Sequence, residues 1–484
     1  MNKALIVQID SLSLDALQYA INNGYMPFVK NLADERWNLQ ELFCGLPSTT
    51  PASQVQLFYG LPLLPGFRFV LKKEKKVFAS QYIDTFQLIE DGPYLKNVPG
   101  LLRNGRGIMS LFSGGSPRSL SVDRMKKDKI MLLRYGFFLL NPLSVLWRIL
   151  RMMALAIIER AEQKKSKNTP FLPKGFSYLA YRMFHELFIG ELGLFEVKKS
   201  IPTDEKIIYV NFTGYDELSH HYGGYSNFSM YYLSIIDLFI KQCYETIKKN
   251  NNERELMIIS DHGFAPCIPV TEFLGTTIGQ KIASFYPGKK IIEHKLEYKS
   301  DRLKESELYL LNSGGFCQGY YVKSELQVTR KDLEKEYPDF CKKASNISAV
   351  EFVLIKEKEP VVVKGGRTYD FSLGNASILF PLIEEKYHEA LIKSLYDLMN
   401  GPYAPDVCIV AKILEKNKVV DFEPQLSAHG AFGGFQTQSF LLSQKPIFKK
   451  NSFPHMRDLH DYLENKINMP ATATFESSQT HTGH

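Results

Sequence analysis

The sequence predicts an α/β protein, a mainly parallel sheet sandwiched by helices with a cap region inserted into it. Three observations carry this expectation. Short apolar, β-branched runs recur at Ala4 to Ile9, Lys206 to Phe212 and Glu255 to Ser260, the pattern of strands buried on both faces. Helical stretches alternate with them at Leu14 to Asn22, Met26 to Ala33 and Asn227 to Lys249. Two of the runs end on an aspartate, Asp10 and Asp261, at the edge where open α/β sheets bind ligands.

Taken in order, the first strand follows Met1-Asn2-Lys3 at once. No signal peptide is visible, and the cytoplasm is the expected location. Trp37 to Phe43 is a further predicted strand, and it leads into Leu46-Pro47-Ser48-Thr49-Thr50-Pro51-Ala52-Ser53-Gln54. Pro51 suits the first helical position because it has no N–H to lose there, and Ala52 to Tyr59 continues in helix-tolerant residues. Thr50 then falls at the N-cap, where free amides and the positive dipole end favour an anion such as phosphate. Helix capping by itself explains a threonine there equally well.

From Leu61 to Ser200 the strand–helix alternation breaks down. Residues 61–200 are therefore expected to form the cap, interrupting a core of 1–60 and 201–445. Within them Gly92 to Ser119 is rich in Gly, Ser and Pro, and Lys164 to Lys174 reads as a basic linker. Met131 to Ile158 is strongly apolar. Its longest charge-free run, Tyr135 to Trp147, has 13 residues, whereas crossing a bilayer takes about 20. It reads either as a buried helix pair broken at Asn141-Pro142 or as an interfacial helix making peripheral membrane contact.

Beyond the core strands, Ala265 to Glu307 reads as irregular. Leu308 to Val322 reads as a hairpin turning at Asn312-Ser313-Gly314-Gly315. Helices are expected at Val328 to Ser345 and Glu384 to Leu398, with strands at Val350 to Ile355 and Val361 to Val363 between them. Residues 470–484 form a polar tail expected to be disordered.

Composition narrows the class further. The 484 residues, 44% hydrophobic and 23% charged, are ordinary for a soluble globular chain. A net charge of +7 is small for this length, so nucleic-acid binding is not indicated, and the run Lys72 to Lys76 reads as a solvated turn. Six cysteines lie scattered without a CxxC pair, as expected of buried free thiols in a reducing compartment.

Four segments offer hard oxygen and imidazole donors: Asp10, Asp216 with His220, Asp261 with His262, and His429. Singly, each has an ordinary explanation, since an aspartate after a strand often caps a helix and a histidine is often a hydrogen-bonded structural residue. Together they form Asp/His sets of the kind that suit zinc and similar divalent ions.

The order Asp10, Thr50, Asp216-xxx-His220, Asp261-His262-Gly263, His429-Gly430 resembles the alkaline phosphatase superfamily, and most closely its type I phosphodiesterase/nucleotide pyrophosphatase branch. Pro47-Ser48-Thr49-Thr50 resembles the branch's nucleophile loop, Tyr215-Asp216 to Tyr222-Gly223 its Asp-xxx-His-x-Tyr-Gly segment, and Ile258 to Gly263 its most recognisable strand. The resemblance implies an alkaline-phosphatase-like core and two divalent metal ions, expected to be Zn2+. One would be held by Asp10, Asp261 and His262 with Thr50 as a further ligand, the other by Asp216, His220 and His429. It also implies hydrolysis of a phosphodiester or pyrophosphate through a covalent phospho-threonine on Thr50. The chemistry is consistent, because a threonine hydroxyl is a poor nucleophile at neutral pH unless a metal ionises it.

One departure stands out. Related diesterases carry a His and an Asn downstream of the nucleophile, where this chain reads Leu64-Pro65-Gly66-Phe67-Arg68-Phe69. Arg68 is either a substitute phosphate clamp or a surface arginine, and Phe67 and Phe69 are candidate contacts for a substrate's second organic group. Expected partners are a small-molecule or lipid-linked phosphoester. The alternatives are a phosphomonoesterase or phospho-group transferase on the same core, or a binding protein that keeps the fold without turnover.

Overall fold

The computed structural model describes residues 3–79, 84–123, 142–165, 189–250, 253–294, 302–449 and 452–468. A six-stranded sheet organises them. Its strands lie side by side in the order Asn38–Phe43, Gln438–Ser443, Glu255–Ile259, Ala4–Ile9, Ile207–Phe212 and Arg106–Ile108. The last four run parallel, and Gln438–Ser443 is antiparallel to both of its neighbours. The mainly parallel sheet is as the sequence predicts.

Alternation of side chains along the first strand explains the helical layers. Leu5, Val7 and Ile9 face a cluster with Ala16, Leu17, Val29, Ile236 and Phe239, contributed by the helices Leu14–Asn22, Pro27–Asp34 and Asn227–Lys249. Ala4 and Ile6 face the opposite cluster with Val55 and Phe58 of the helix Thr50–Tyr59 and Met456 and Leu459 of Met456–Leu463. Each fully buried aliphatic side chain contributes about 1.5–3 kcal/mol. A strand with two apolar faces is stable only between two such layers.

A second, seven-stranded sheet runs from Arg367–Tyr369 to Ile291–Glu293 and contains the hairpin Leu308–Ser313/Phe316–Tyr321. A small four-stranded sheet joins the two halves. In it Ser427–Ala428 pairs antiparallel with Ala265–Pro269, which brings the segment before His429 alongside the segment after His262.

Several elements differ from expectation. Arg106–Ile108, inside the stretch expected as cap, is the edge strand of the central sheet; three residues containing Gly107 are too few to show a period. Ala265 to Glu307 is ordered, with the strand Ala265–Pro269, the helices Val270–Leu274 and Ile278–Ala283, and the strand Ile291–Glu293. Two prolines in the first of these hid it. Val328 to Ser345 divides into Arg330–Glu336 and Phe340–Ser345, because Pro338 has no N–H with which to continue a helix. Lys72, expected in a solvated turn, pairs with the fully buried Asp406 at 2.9 Å.

The helix Pro142–Lys165 begins at the proline expected to break the apolar stretch. Residues 131–141 of that stretch, 166–174 of the basic linker and the 470–484 tail lie outside the described residues. All six cysteines are buried and unpaired.

Candidate active site

Asp10 directly follows the strand Ala4–Ile9, and Asp261 follows the neighbouring parallel strand Glu255–Ile259 after one residue. Sheet register thus sets two carboxylates side by side at the carboxyl edge. Ser11 turns the chain there with a left-handed backbone, φ 63°, and its amide donates to Asp261 Oδ1 at 3.1 Å. Asp216 and His220 share one face of the helix Gly214–Tyr222, which starts two residues after the strand Ile207–Phe212.

Thr50 is the first residue of the helix Thr50–Tyr59, and Thr49 occupies the cap position without a side-chain capping bond. This corrects the expected frame by one residue, and Pro51 is the second helical residue. The Thr50 hydroxyl is therefore not spent on capping. It donates to Asp10 Oδ1 at 3.1 Å and lies 3.2 Å from His262 Nε2. Ser53, one turn on, donates to the Asp261 carbonyl at 2.8 Å and locks the helix to the site.

His429 arrives from more than 150 residues beyond His262. Its loop is stapled to the nucleophile loop by Ser48, whose Oγ donates to Ala431 O at 2.7 Å and accepts from Gly430 N at 2.9 Å. The hairpin turn at Gly314 presses on the same loop. A Cβ at Gly314 would lie 1.6 Å from the His429 carbonyl oxygen, so only glycine permits this approach.

Three histidines are oriented alike. Nδ1 of His262, His220 and His429 lies 3.0, 2.8 and 3.0 Å from the carbonyl oxygens of Gly263, Ser427 and Ser48. A carbonyl only accepts, so each Nδ1 carries a proton and each Nε2 is turned inward, as a lone pair whenever the ring is neutral. These inward nitrogens meet carboxylates. His262 Nε2 is 3.6 Å from Asp10 and 3.5 Å from Asp261, His220 Nε2 is 3.3 Å from Asp216, and His429 Nε2 is 3.5 Å from Asp216.

Donor atoms of Asp10, Asp261 and His262 lie within 4.8 Å of one another, as do those of Asp216, His262 and His429. His220 joins the second group through Asp216 and through a 3.2 Å approach to His429 Nε2. Acceptors facing acceptors repel unless a cation lies between them. Asp216 Oδ1 and Asp261 Oδ2 are in addition buried without a hydrogen-bond partner, at a cost that a bound cation removes. The donor set fits divalent ions of the zinc type.

The electrostatics express the same crowding. Burial raises Asp10 well above the ordinary carboxylate range, and the neighbouring Asp261 and Asp216 add to this. Burial also raises Asp261, to about 6. Burial and the adjacent His262 press His429 down to about 3. Against its own burial, His220 is pushed up to about 10 by Asp216. In the protein alone, protons on His220 and the deep carboxyls stand in for missing positive charge.

All seven expected ligand positions, Asp10, Thr50, Asp216, His220, Asp261, His262 and His429, thus meet in one place. Other expectations resolve differently. Arg68 Nη1 is held by Glu423 at 2.5 Å and by the Asn312 carbonyl at 3.1 Å. Phe69 is fully buried, stacked on Phe78 at 4.4 Å, and so offers no surface to a substrate. The amides of Ser113 and Gly114 bind Glu90, and that of Gly314 binds Glu423, so these amides are engaged within the protein. Sequence reasoning missed Ser48 as a staple and Asn211, whose Nδ2 donates to Asp10 Oδ2 at 3.2 Å. Asn211 is the penultimate residue of a recognisable strand next to the one leading into Asp10, which was the available signal.

Comparison with known proteins bears on the fold and on part of the chain. The type I phosphodiesterase / nucleotide pyrophosphatase family matches residues 177–350, a segment that contains Asp216, His220, Asp261 and His262 but not Asp10, Thr50 or His429. No curated protein matches the chain. Among solved structures it is similar to murine ectonucleotide pyrophosphatase / phosphodiesterase 5, with 12% identity over 97% of this chain and 96% of that one and a TM-score of 0.53. The human counterpart gives 12% identity over 97% and 96%, TM-score 0.51. The wild-type alkaline phosphatase PafA gives 13% over 95% of both chains, TM-score 0.55. A further murine structure is an inactive threonine-to-alanine variant in complex with AMP. The fold is therefore alkaline-phosphatase-like.

Proposed function

We propose that this protein is a two-metal phosphoester hydrolase that cleaves phosphodiester or pyrophosphate bonds with Thr50 as nucleophile. One observation carries the reading: an uncapped hydroxyl at a helix start, 3.1 Å from Asp10 and 3.2 Å from His262, at the junction of two convergent Asp/His groups. Asp10, Asp261 and His262 would hold one divalent ion together with Thr50, and Asp216, His220 and His429 the other. Bound there, such ions, Zn2+ by the donor set, supply positive charge that makes a hydroxyl nucleophilic and neutralises phosphoryl oxygens.

The chain's own residues do the rest. Thr50 Oγ1 gives up its proton to solvent and forms a new P–O bond while the bond to the leaving oxygen breaks, and the leaving group departs with that electron pair and takes a proton from water. Asp10 orients the hydroxyl, and the start of the helix Thr50–Tyr59 favours the phosphoryl charge. Water then cleaves the phospho-threonine and restores Thr50. Backbone bonds from all three histidines hold Nε2 inward through both steps, so little reorganisation is required.

The AMP complex of the murine relative supports a nucleotide ester as first probe, whereas the likeness to PafA favours the second reading, a phosphomonoesterase. kcat/KM for bis-p-nitrophenyl phosphate and for a nucleoside 5′-monophosphate p-nitrophenyl ester, compared with p-nitrophenyl phosphate in zinc, separates them. Diesters are expected to win. A monoester preference of about tenfold, about 1.4 kcal/mol in the transition state, would replace the diesterase reading.

Access to lipid-linked phosphoesters belongs to the same proposal. Among the described residues no helix is long and apolar enough to cross a membrane, but Pro142–Lys165 exposes Leu146, Trp147, Leu150, Ile157 and Ile158. Flotation with anionic vesicles tests surface contact, and failure to co-migrate removes it. The six unpaired thiols support a reducing compartment such as the cytoplasm.

A further inference from the structure

Beneath the deep carboxylates runs an unbroken chain of buried hydrogen bonds. Leu111 N donates to Gln54 Oε1 at 2.9 Å, and Gln54 Nε2 donates to Tyr209 Oη at 3.0 Å. Tyr209 Oη donates to Gln8 Oε1 at 2.6 Å, Gln8 Nε2 to Asn211 Oδ1 at 3.1 Å, and Asn211 Nδ2 to Asp10 Oδ2 at 3.2 Å. Gln54, Tyr209, Gln8 and Asn211 are at most 1% exposed.

The direction of every link is determined by the two ends. A backbone N–H can only donate, and Asp10, in the ionised form that a metal ligand takes, can only accept. Asn211 must therefore turn its amide nitrogen to Asp10, which leaves its oxygen for Gln8. Gln8 must turn its nitrogen to Asn211 and its oxygen to the phenol. The phenol's single proton goes to Gln8, so Gln54 must donate to the phenol and accept from Leu111. Aligned hydrogen bonds polarise one another in a low-dielectric interior. The chain thus aims an accumulated dipole at one oxygen of Asp10, while Oδ1 is left facing Thr50 and His262. It also ties Asp10 to Gln54, one turn along the helix that begins with Thr50.

We propose that Gln54, Tyr209, Gln8 and Asn211 act as a directional positioning relay that holds Asp10 oriented for the deep metal ion. This rests on the reading of Asp10 as a metal ligand. The four residues touch neither substrate nor ion, and their effect passes through Asp10.

Stepwise Zn2+ titration of the metal-free full-length protein with a chromophoric competitor tests this. His220→Ala and Asp261→Ala serve to assign the two dissociation constants. If the wild-type protein binds no Zn2+, the two-metal reading fails. If it binds two ions, two variants address the relay. Tyr209→Phe removes one oxygen from a ring already packed edge-on against Phe58 at 4.8 Å. Gln8→Glu keeps the shape but can only accept, so Asn211 must turn and present its oxygen to Asp10. Each is expected to weaken the deep ion by about 10–100-fold, the range for outer-shell partners, and to leave the shallow ion within about twofold. Gln8→Glu should be the more severe. Unchanged affinity, or equal loss at both sites, overturns the relay. Should Gln8→Glu fail to fold, the shape-conserving Tyr209→Phe decides alone.

Discussion

The two halves of the site are built by different means. Asp10, Asp261 and His262 are at most 3% exposed and stand at the ends of adjacent parallel strands. Asp216, His220 and His429 leave 13–15% of their side chains exposed and come from a helix and a loop about 200 residues later. Register and an internal hydrogen-bond relay position the deep group, whereas contacts between distant loops position the shallow one. On the proposed reading the two have unequal tasks: the enclosed group would hold the nucleophile, and substrate and water would arrive from the open one.

The largest expected effect tests the deep side. Thr50→Ala should lower turnover on the order of 10³-fold or more while both ions still bind, and Thr50→Ser should keep part of the rate. Metal analysis beside steady-state kinetics checks this, and a near-normal rate for Thr50→Ala would remove the assigned division.

Next in size is Arg68→Ala, on the shallow side. Glu423 would lose the ion pair that lets it hold Gly314 N at 3.1 Å, and with it the turn that presses on His429. Leaving a buried carboxylate unpaired should cost about 3 kcal/mol in urea unfolding. Unaltered stability together with a specific loss of monoester kcat/KM would instead give Arg68 the clamp role.

Ser48→Ala removes the staple between the nucleophile loop and the His429 loop. It should weaken the shallow ion by about tenfold and spare the deep one, the reverse of the pattern expected from Tyr209→Phe. Equal weakening of both ions would show that the two groups are not independently held.

The smallest effect is a dependence on pH. Asp261 titrates at about 6 in the folded metal-free chain, and burial raises Asp10 too. Between about pH 4, the ordinary range for an unfolded carboxyl, and pH 6, the folded state binds more protons than the unfolded one. Metal-free stability therefore falls as pH rises through that window. A bound ion abolishes this penalty, so the rise in Tm on adding Zn2+ should be a few degrees larger at pH 7.5 than at pH 5. Equal shifts would break the link between deep burial and metal demand.

Much of this was legible beforehand. Apolar runs of six residues, a proline near a helix start and aspartates after strands are signals written within a few neighbouring positions, and they located the sheet, Asp10, Asp261 and the helix at Thr50, whereas the full set of expected ligands was implied by the resemblance. Arg68 illustrates the limit. Its neighbours in sequence say nothing of Glu423, 355 residues away, so its charge looked available. Phe69 likewise gave no sign that Phe78 would stack on it across a two-stranded hairpin.

By itself, then, the sequence determined local conformation, the faces of strands and helices, and the order of metal-type donors, because these follow from spacing and backbone chemistry within a turn or a strand. Tertiary structure alone decided that Ser48 and Ser427 carbonyls set the histidine tautomers, that Arg106–Ile108 closes the sheet edge, and that the relay from Leu111 ends on Asp10. The first two are pairings across at least 102 residues, as between Arg106 and Ile208, and the third is a series of bonds whose direction depends on both its ends. No local period encodes such pairings; chain closure and the need to satisfy every buried polar group select them.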